Sequence, residues 1–339
     1  MTDTASTRRV FVTGSAGFIG FHLCRRLLSE GVSVLGYDGF TPYYDVALKR
    51  RRADLLAVMP RFRQIEAQLE DASALRAAVE GFQPTEIVHL AAQAGVRYSL
   101  ENPRSYVEAN LVGTFNLFEA ARMSEVRHVL LASSSSVYGG NTRMPFKETD
   151  ATDLPLTMYA ATKKATESLS HAEAHLRRLP VTAFRFFTVY GPWGRPDMAL
   201  FKFVSAMLED RPIALHNGGD MYRDFTYCDD LVEGVRRLMD VIPGEAPAVE
   251  ADSLSPVAPW RSVNIGMSEK VRLGDFVDHI EAALGRPAVR EKTPMTPGEV
   301  YATWADATLL ERLTGFRPST GIGEGIPRFV DWYCAEYVR

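Results

Sequence analysis

Cysteine is scarce in this chain: Cys24, Cys228 and Cys334 stand alone among 339 residues, with no CxxC pair. Their odd number and isolation exclude a disulfide framework or a spaced zinc-ligand set, so no metal is expected, and they suit unpaired thiols in a reducing compartment. No apolar run approaches the roughly 20 residues that a bilayer-spanning helix needs. No hydrophobic leader stands between Met1 and the first strand-like run at Arg9, so neither secretion nor membrane attachment is expected. A surplus of positive charge is lacking too. The formal net charge of -4 offers nucleic acid no general attraction, and an anionic ligand must be met by locally placed arginines or helix N-termini. What remains is the composition of a cytoplasmic globular protein, 46% hydrophobic and 24% charged, long enough for a large domain plus a smaller partner.

Arg9-Val-Phe-Val-Thr13 is a short apolar run followed at once by glycines, then by Phe18, Ile19, Leu23, Leu27 and Leu28 at helical spacing, which predicts strand, turn and helix. Further strands buried on both faces are expected at 32–36, 86–90, 128–132 and 181–187. Helical patterns alternate with them at 72–79, 106–123 and 159–176. That alternation predicts an α/β fold with a doubly wound parallel sheet, because parallel strands need crossover connections. After Gly191 the rhythm changes, with helices expected at 201–208 and 229–239, a strand at 212–215 and a terminal helix over 324–337. The expected division is a dinucleotide-binding Rossmann domain over 1–190, with contributions from about 220–265, and a smaller α/β substrate domain mainly within 191–339. Pro243 to Pro259, rich in Pro, Ala and acids, is expected as an exposed loop.

Two constellations carry chemistry. In Gly14-x-x-Gly17-x-x-Gly20 the first glycine permits the tight turn, the second admits a pyrophosphate against the backbone, and the third lets helix pack on strand. Phe18 and Ile19 begin the helix whose free N–H groups would meet the phosphates. Asp38 closes the second strand about 20 residues on, where an acid accepts hydrogen bonds from an adenosine ribose and repels a 2′-phosphate, favouring NAD over NADP. Asp71 is a candidate for the adenine end, though a helix N-cap explains it almost as well. The second constellation is Tyr159-Ala-Ala-Thr-Lys163. A phenol and an amine four residues apart share one helix face, so the ammonium is expected to lower the phenol's pKa and hold it as a proton acceptor.

Taken in order, Thr13-Gly-Ser-Ala-Gly-Phe-Ile-Gly20, His89-Leu-Ala-Ala92, Asn110-Leu-Val-Gly-Thr114, Ser133-Ser-Ser-Ser-Val-Tyr-Gly139, Tyr159-x-x-x-Lys163, Val189-Tyr-Gly-Pro192, Arg223-Asp-Phe225 and Asn264-Ile-Gly266 resemble the extended short-chain dehydrogenase/reductase family, and within it the nucleotide-sugar epimerases. The resemblance implies NAD as cofactor and Tyr159 as general base. It makes Lys163 the residue on the nicotinamide ribose and Ser134 the hydroxyl sharing the reacting oxygen. Leu90, Ala91 and Ala92 would line the cofactor pocket, and Arg223 would clamp a nucleotide diphosphate. A homodimer built through the helices at 106–123 and 159–176 is implied as well.

Within that family, Tyr37-Asp-Gly-Phe-Thr-Pro-Tyr-Tyr-Asp-Val-Ala-Leu-Lys-Arg50 and Arg185-Phe-Phe-Thr-Val-Tyr-Gly-Pro-Trp-Gly-Arg-Pro-Asp-Met198 look like the signatures of UDP-glucuronate 4-epimerases. Thr188, Ser135 and Ser136 are then the candidates around a sugar carboxylate, with Arg195 a further substrate-binding candidate; the alternative for the serines is that they finish a strand and bond local backbone. Glu299 resembles the acid that reaches the nucleotide ribose. Thr296 stands where galactose-type relatives place a second phosphate arginine, a departure from the pattern. Related 4,6-dehydratases carry an Asp-Glu pair, and decarboxylases a glutamate, where this chain has Ser135-Ser136, so neither reaction is equipped. Two rival readings are a 4-epimerase of a neutral UDP-hexose and a nucleotide-binding regulator without chemistry.

Overall fold

The computed structural model describes residues 8–245, 247–295 and 300–338. Strand β1 (Arg9–Thr13) sends Val10 and Val12 into one hydrophobic core and Phe11 into another, the alternation that a strand buried on both faces requires. Beside it run β2 (Ser33–Asp38), β3 (Phe62–Glu66), β4 (Glu86–His89), β5 (His128–Ala132), β6 (Val181–Phe186) and β7 (Trp260–Ile265). They form one sheet in the order β7-β6-β5-β4-β1-β2-β3, every pair parallel. The order reverses between β1 and β4, where Thr13 pairs with both Tyr37 and His89. In an open parallel sheet that reversal opens a crevice at the carboxyl ends of the strands.

Helices cover both faces. On the side of Val10 and Val12 lie α1 (Phe18–Ser29) and the helix Cys228–Leu238, through Leu23, Leu27, Val232 and Val235. On the side of Phe11 lie Ala72–Phe82 and Gly113–Ala121, through Leu75, Val79, Leu117 and Phe118. Beyond Phe186, Thr188–Tyr190 pairs in parallel with Phe225–Tyr227, and Tyr222–Arg223 sits between Val271–Arg272 and Ala302–Thr303. The helices Ala199–Leu208, Leu273–Leu284 and Ile322–Tyr337 pack through Val204, Phe276 and Phe329 into the first core.

Several elements depart from the sequence expectation. The single helix expected over 106–123 is broken into Pro103–Tyr106, a π-helical stretch Val107–Val112, and Gly113–Ala121. The strands β3 and β7 and the helix Val46–Ala57 were not anticipated. β3 reads FRQIE because it is the sheet edge, and Val46–Ala57 carries a run of basic residues that hides any apolar stripe. β7 buries Arg261, Ser262 and Asn264. The loop over 243–259 is only partly exposed. Its Asp252 accepts a bidentate pair from the buried Arg261 at 2.8 and 2.8 Å, so it tethers the outer strand, a correction to its reading as an exposed loop.

Candidate active site

A cavity of about 980 Å³ opens over the crevice, lined from both parts of the chain. Its floor is the glycine turn. Gly14 has φ of +73°, and a Cβ there would meet the backbone N of Ala91 at 2.8 Å; a Cβ on Gly20 would meet the Gly14 carbonyl oxygen at 2.0 Å. Both positions therefore exclude side chains, one by conformation and one by packing. Gly17 is the N-cap of α1, no side chain caps the helix, and its first turn carries no acid. That end presents unsatisfied N–H donors to an anion. Gly14, Gly17, Phe18, Ile19, Gly20, Leu90, Ala91 and Ala92 all line the cavity.

Asp38, at the end of β2, is buried and also lines it. Its Oδ2 accepts from the Ala16 N–H at 3.0 Å and its Oδ1 from the Phe40 N–H at 2.8 Å. Burial raises its pKa, against the hydrogen bond from Phe40 and the charge of Lys49. The donors fix the carboxylate on the turn itself. This cradle fits a dinucleotide: a glycine floor with no room for Cβ, an open helix N-terminus and an anchored acid. Asp71 is placed otherwise. Its Oδ1 accepts from the Ala74 N–H at 3.0 Å as the N-cap of Ala72–Phe82, the second role that its position allowed, and Leu69 and Glu70 beside it line the cavity. Glu299 lies outside the described residues, as does Thr296.

Tyr159 and Lys163 sit on the cavity side of the helix Met158–Arg177, both buried. Thr157 caps that helix by accepting from the Ala160 N–H at 3.2 Å, so the tyrosine falls in its first turn. Burial raises the Tyr159 pKa, while a hydrogen bond with Ser134 and the charge of Arg195 pull it down. Lys163 is not among these causes. Its Nζ donates to the Ala132 carbonyl at 2.8 Å, and burial lowers its pKa to about 8 against the pull of Glu167. Ser134 and Arg195 are the groups that hold the phenol's pKa down against burial. Ser134 ends the segment after β5 and accepts from the Ser136 N–H at 3.2 Å, starting the short helix Ser135–Tyr138.

Behind the base lies a buried polar network. Glu167, one turn past Lys163, takes both Arg185 nitrogens at 2.8 Å and the Ser133 hydroxyl at 2.5 Å. Arg185 also donates to the Tyr138 hydroxyl at 3.1 Å, which donates to Asn264 on β7 at 2.7 Å. The network ties β5, β6, β7 and the helix Met158–Arg177 together beneath the serine run.

The sugar-side candidates come from separate elements. Ser135, Ser136, Thr188, Arg195 and Arg223 all line the cavity. The Thr188 N–H is spent on the Asp224 carbonyl at 3.0 Å, leaving its hydroxyl available to the cavity. Arg195 is bound by Asp197, Nε to Oδ1 at 3.0 Å and Nη2 to Oδ2 at 2.5 Å. Arg223 donates Nη1 to the Tyr222 carbonyl at 2.7 Å.

Several residues escaped sequence reasoning. Asn110 stands in the π-helical stretch, where it joins the Gln93 backbone at 2.8 Å to the Thr162 hydroxyl at 3.0 Å. A π turn shifts the helix face by a fraction of a turn and recurs at functional sites, and only the Asn110-to-Thr114 motif hinted at it. His89 is a satisfied core histidine between Thr13 at 2.7 Å and Thr114 at 3.0 Å, its pKa lowered to about 3 by burial.

Comparison with known proteins follows the same lines. The profile of the NAD dependent epimerase/dehydratase family matches residues 10–247. A protein of Rhizobium meliloti described as a probable UDP-glucuronate 4-epimerase is 54% identical over 335 residues, covering 98% of each chain. UDP-glucuronate 4-epimerase 1 of Arabidopsis thaliana is 42% identical over 97% of this chain and 77% of its own. The crystal structure of UDP-glucuronic acid 4-epimerase from Bacillus cereus with UDP-glucuronic acid and NAD superposes with a TM-score of 0.87 at 31% identity, over 97% of this chain and 100% of that one. On the glycine cradle, the parallel sheet order and these matches together, the chain belongs to the NAD-dependent epimerase/dehydratase family, in the extended short-chain dehydrogenase/reductase group.

Proposed function

We propose that the protein interconverts UDP-glucuronate and UDP-galacturonate at C4, with NAD as a cofactor that stays bound. The observation that carries this reading is the meeting, in one cavity, of the glycine cradle with Tyr159, Ser134 and Thr188. When bound, NAD supplies the redox chemistry, accepting hydride from sugar C4 and returning it to the opposite face. Tyr159 accepts the proton of the 4-hydroxyl and later gives it back, and Ser134 shares the same oxygen. Lys163, anchored on Ala132, holds the cofactor ribose. Around the dinucleotide we assign Gly14, Gly17, Phe18, Ile19, Gly20, Asp38, Leu90, Ala91 and Ala92. To the sugar nucleotide we assign Ser135, Ser136, Thr188, Arg195 and Arg223, with Glu299 as a further ligand.

A 4-keto sugar with a carboxylate on C5 is a β-keto acid, which loses carbon dioxide most readily when the breaking bond stands perpendicular to the carbonyl plane. Ser135, Ser136 and Thr188 restrain the carboxylate away from that geometry. The serines replace the acids that elimination would need, which supports epimerisation over dehydration.

We further infer that residues 1–190 with 220–265 make the cofactor-binding unit and that most of 191–339 holds the sugar nucleotide. We place the enzyme in the cytoplasm as a homodimer. Its dimer face would be formed by the helices flanking the site, on and beside which Val107, Val112, Phe115, Met123, Met158 and Leu176 are exposed. The test of function is a substrate panel without added NAD. Conversion of UDP-glucuronate to UDP-galacturonate, followed by NMR, is expected; turnover of UDP-glucose alone would transfer the activity to neutral hexoses.

A further inference from the structure

The paired tyrosines of the Tyr37-to-Arg50 segment have no task in the chemistry above, yet the structure gives each a bond to the 192–197 stretch or to a residue that reaches it. Tyr43 donates to Asp197 Oδ2 at 3.0 Å, and the same carboxylate holds Arg195. The Tyr43 ring is packed on Tyr98 at 4.9 Å and Tyr44 at 6.1 Å, and the Arg195 guanidinium stands 5.7 Å from its centroid. Gly95 has φ of +102°, and a Cβ there would meet the Tyr43 hydroxyl at 2.2 Å. Three segments therefore converge on one phenol.

Tyr44 is fixed by the fully buried Arg52, which donates to its hydroxyl at 2.9 Å, to the Ala16 carbonyl of the glycine turn at 3.1 Å, and to Trp193 and Gly194 carbonyls at 2.5 and 3.1 Å. Arg52 thus pins the base of the 37–50 segment, while Tyr43 reaches across. Tyr43, Asp197 and Arg195 all line the same cavity as the glycine turn and Asp38. Epimerisation places a demand on that cavity, because the dinucleotide must not leave while it is reduced and the sugar is oxidised.

We propose that the Tyr43–Asp197 hydrogen bond is a cross-tie over the cofactor channel that keeps the dinucleotide bound through the turnover. It rests on the reading of this chain as an NAD-retaining epimerase, and it assigns Tyr43 and Asp197 as positioning residues that touch neither the sugar's reacting atoms nor Tyr159. The tie joins the strand-end segment that follows Asp38 to the one that follows Thr188, beyond the point where Arg52 already pins them, so its opening would free only the outer edge of the two walls.

The experiment measures cofactor exchange directly, by incubating purified protein with labelled NAD and following its incorporation. A hydrogen bond to a carboxylate, lost as in Tyr43→Phe with the ring stack kept, is expected to speed exchange about tenfold or more. Asp197→Leu, which removes the acceptor and with it the Arg195 pair, should give at least that increase, and adding Tyr43→Phe to it should make exchange no faster, since the phenol then has no bond left to lose. Tyr43→Phe should also release NADH during turnover, seen as absorbance that the wild type does not accumulate. Unchanged exchange in Tyr43→Phe, or additive effects in the double variant, overturns the proposal. So does faster exchange matched by an equal loss of thermal stability. The wild type's conversion of UDP-glucuronate is scored separately, so failure of the cross-tie and failure of the activity are distinguishable.

Discussion

In the proposed reaction Tyr159 carries the heaviest chemical load of any single side chain. Burial raises its pKa, and Ser134 and Arg195 oppose that rise, so the free site keeps the phenol protonated more than a solvent-exposed tyrosine would. Tyr159→Phe should lower kcat by about 10²- to 10⁴-fold, the range a positioned general base supplies, with UDP binding measured by calorimetry unchanged. Gly20 is the other decisive position. Gly20→Ala puts a methyl at 2.0 Å from the Gly14 carbonyl oxygen, and the strain, on the order of 1–3 kcal/mol for overpacking, falls on the cofactor turn. The expected readout is NAD lost on gel filtration, seen in the ratio of absorbance at the nucleotide and protein bands. The glycines and the tyrosine–lysine pair were legible because each needs a residue type that few alternatives replace. Asp71 was ambiguous because an acid before a helix serves as cap or ligand with the same letter, and the structure displays the cap.

Among the elements, the helix Met158–Arg177 presents the base on one face and anchors it on another. Glu167 and Arg185 are almost wholly buried, so removing one partner strands the other's charge. Glu167→Gln should cost about 3–5 kcal/mol of stability, measured by urea unfolding, and should loosen Ser133 beside the catalytic serine. Most of the parallel sheet was readable from apolar runs, since strands covered on both faces lack alternation. β7 was not, because its buried Arg261 and Asn264 look like surface residues until Asp252 and Tyr138 are brought against them. The broken helix over 103–121 hides for another reason. A π turn leaves the local apolar pattern nearly intact and shows itself only in which side chains meet, here Asn110 with Thr162.

For the whole molecule, acid stability follows from histidines kept neutral. Burial lowers His22 to about 4 and His89 and His128 to about 3, below the usual imidazole value near 6.5. The unfolded chain therefore binds protons that the folded one refuses, and stability present above about 6.5 is lost as pH falls toward 4. Asp224 and Glu148, raised by burial to about 6 and about 7, act in the opposite sense and shallow the fall. His128→Gln should make the decline in Tm between pH 6.5 and 4 shallower than in the wild type. The apolar helix faces carry the assembly prediction. Phe115→Glu, on an exposed position, should convert a homodimer to a monomer in light scattering, with the fold kept by circular dichroism.

Residue chemistry that depends on backbone conformation or on spacing within one element could be read from the linear chain: the glycine turn, the acid after the second strand, the base and its lysine, and the alternation that forces a parallel sheet. Chain connectivity carries that information, because a turn or a helical repeat is local. Partnerships between distant segments could not be read, since nothing in a one-dimensional string says that Tyr43 faces Asp197, that Arg52 reaches Trp193, or that Glu167 holds Arg185. Those contacts exist because packing both faces of the sheet brings distant segments together, where a buried charge meets an opposite charge or a polar backbone group, and one left with neither is costly.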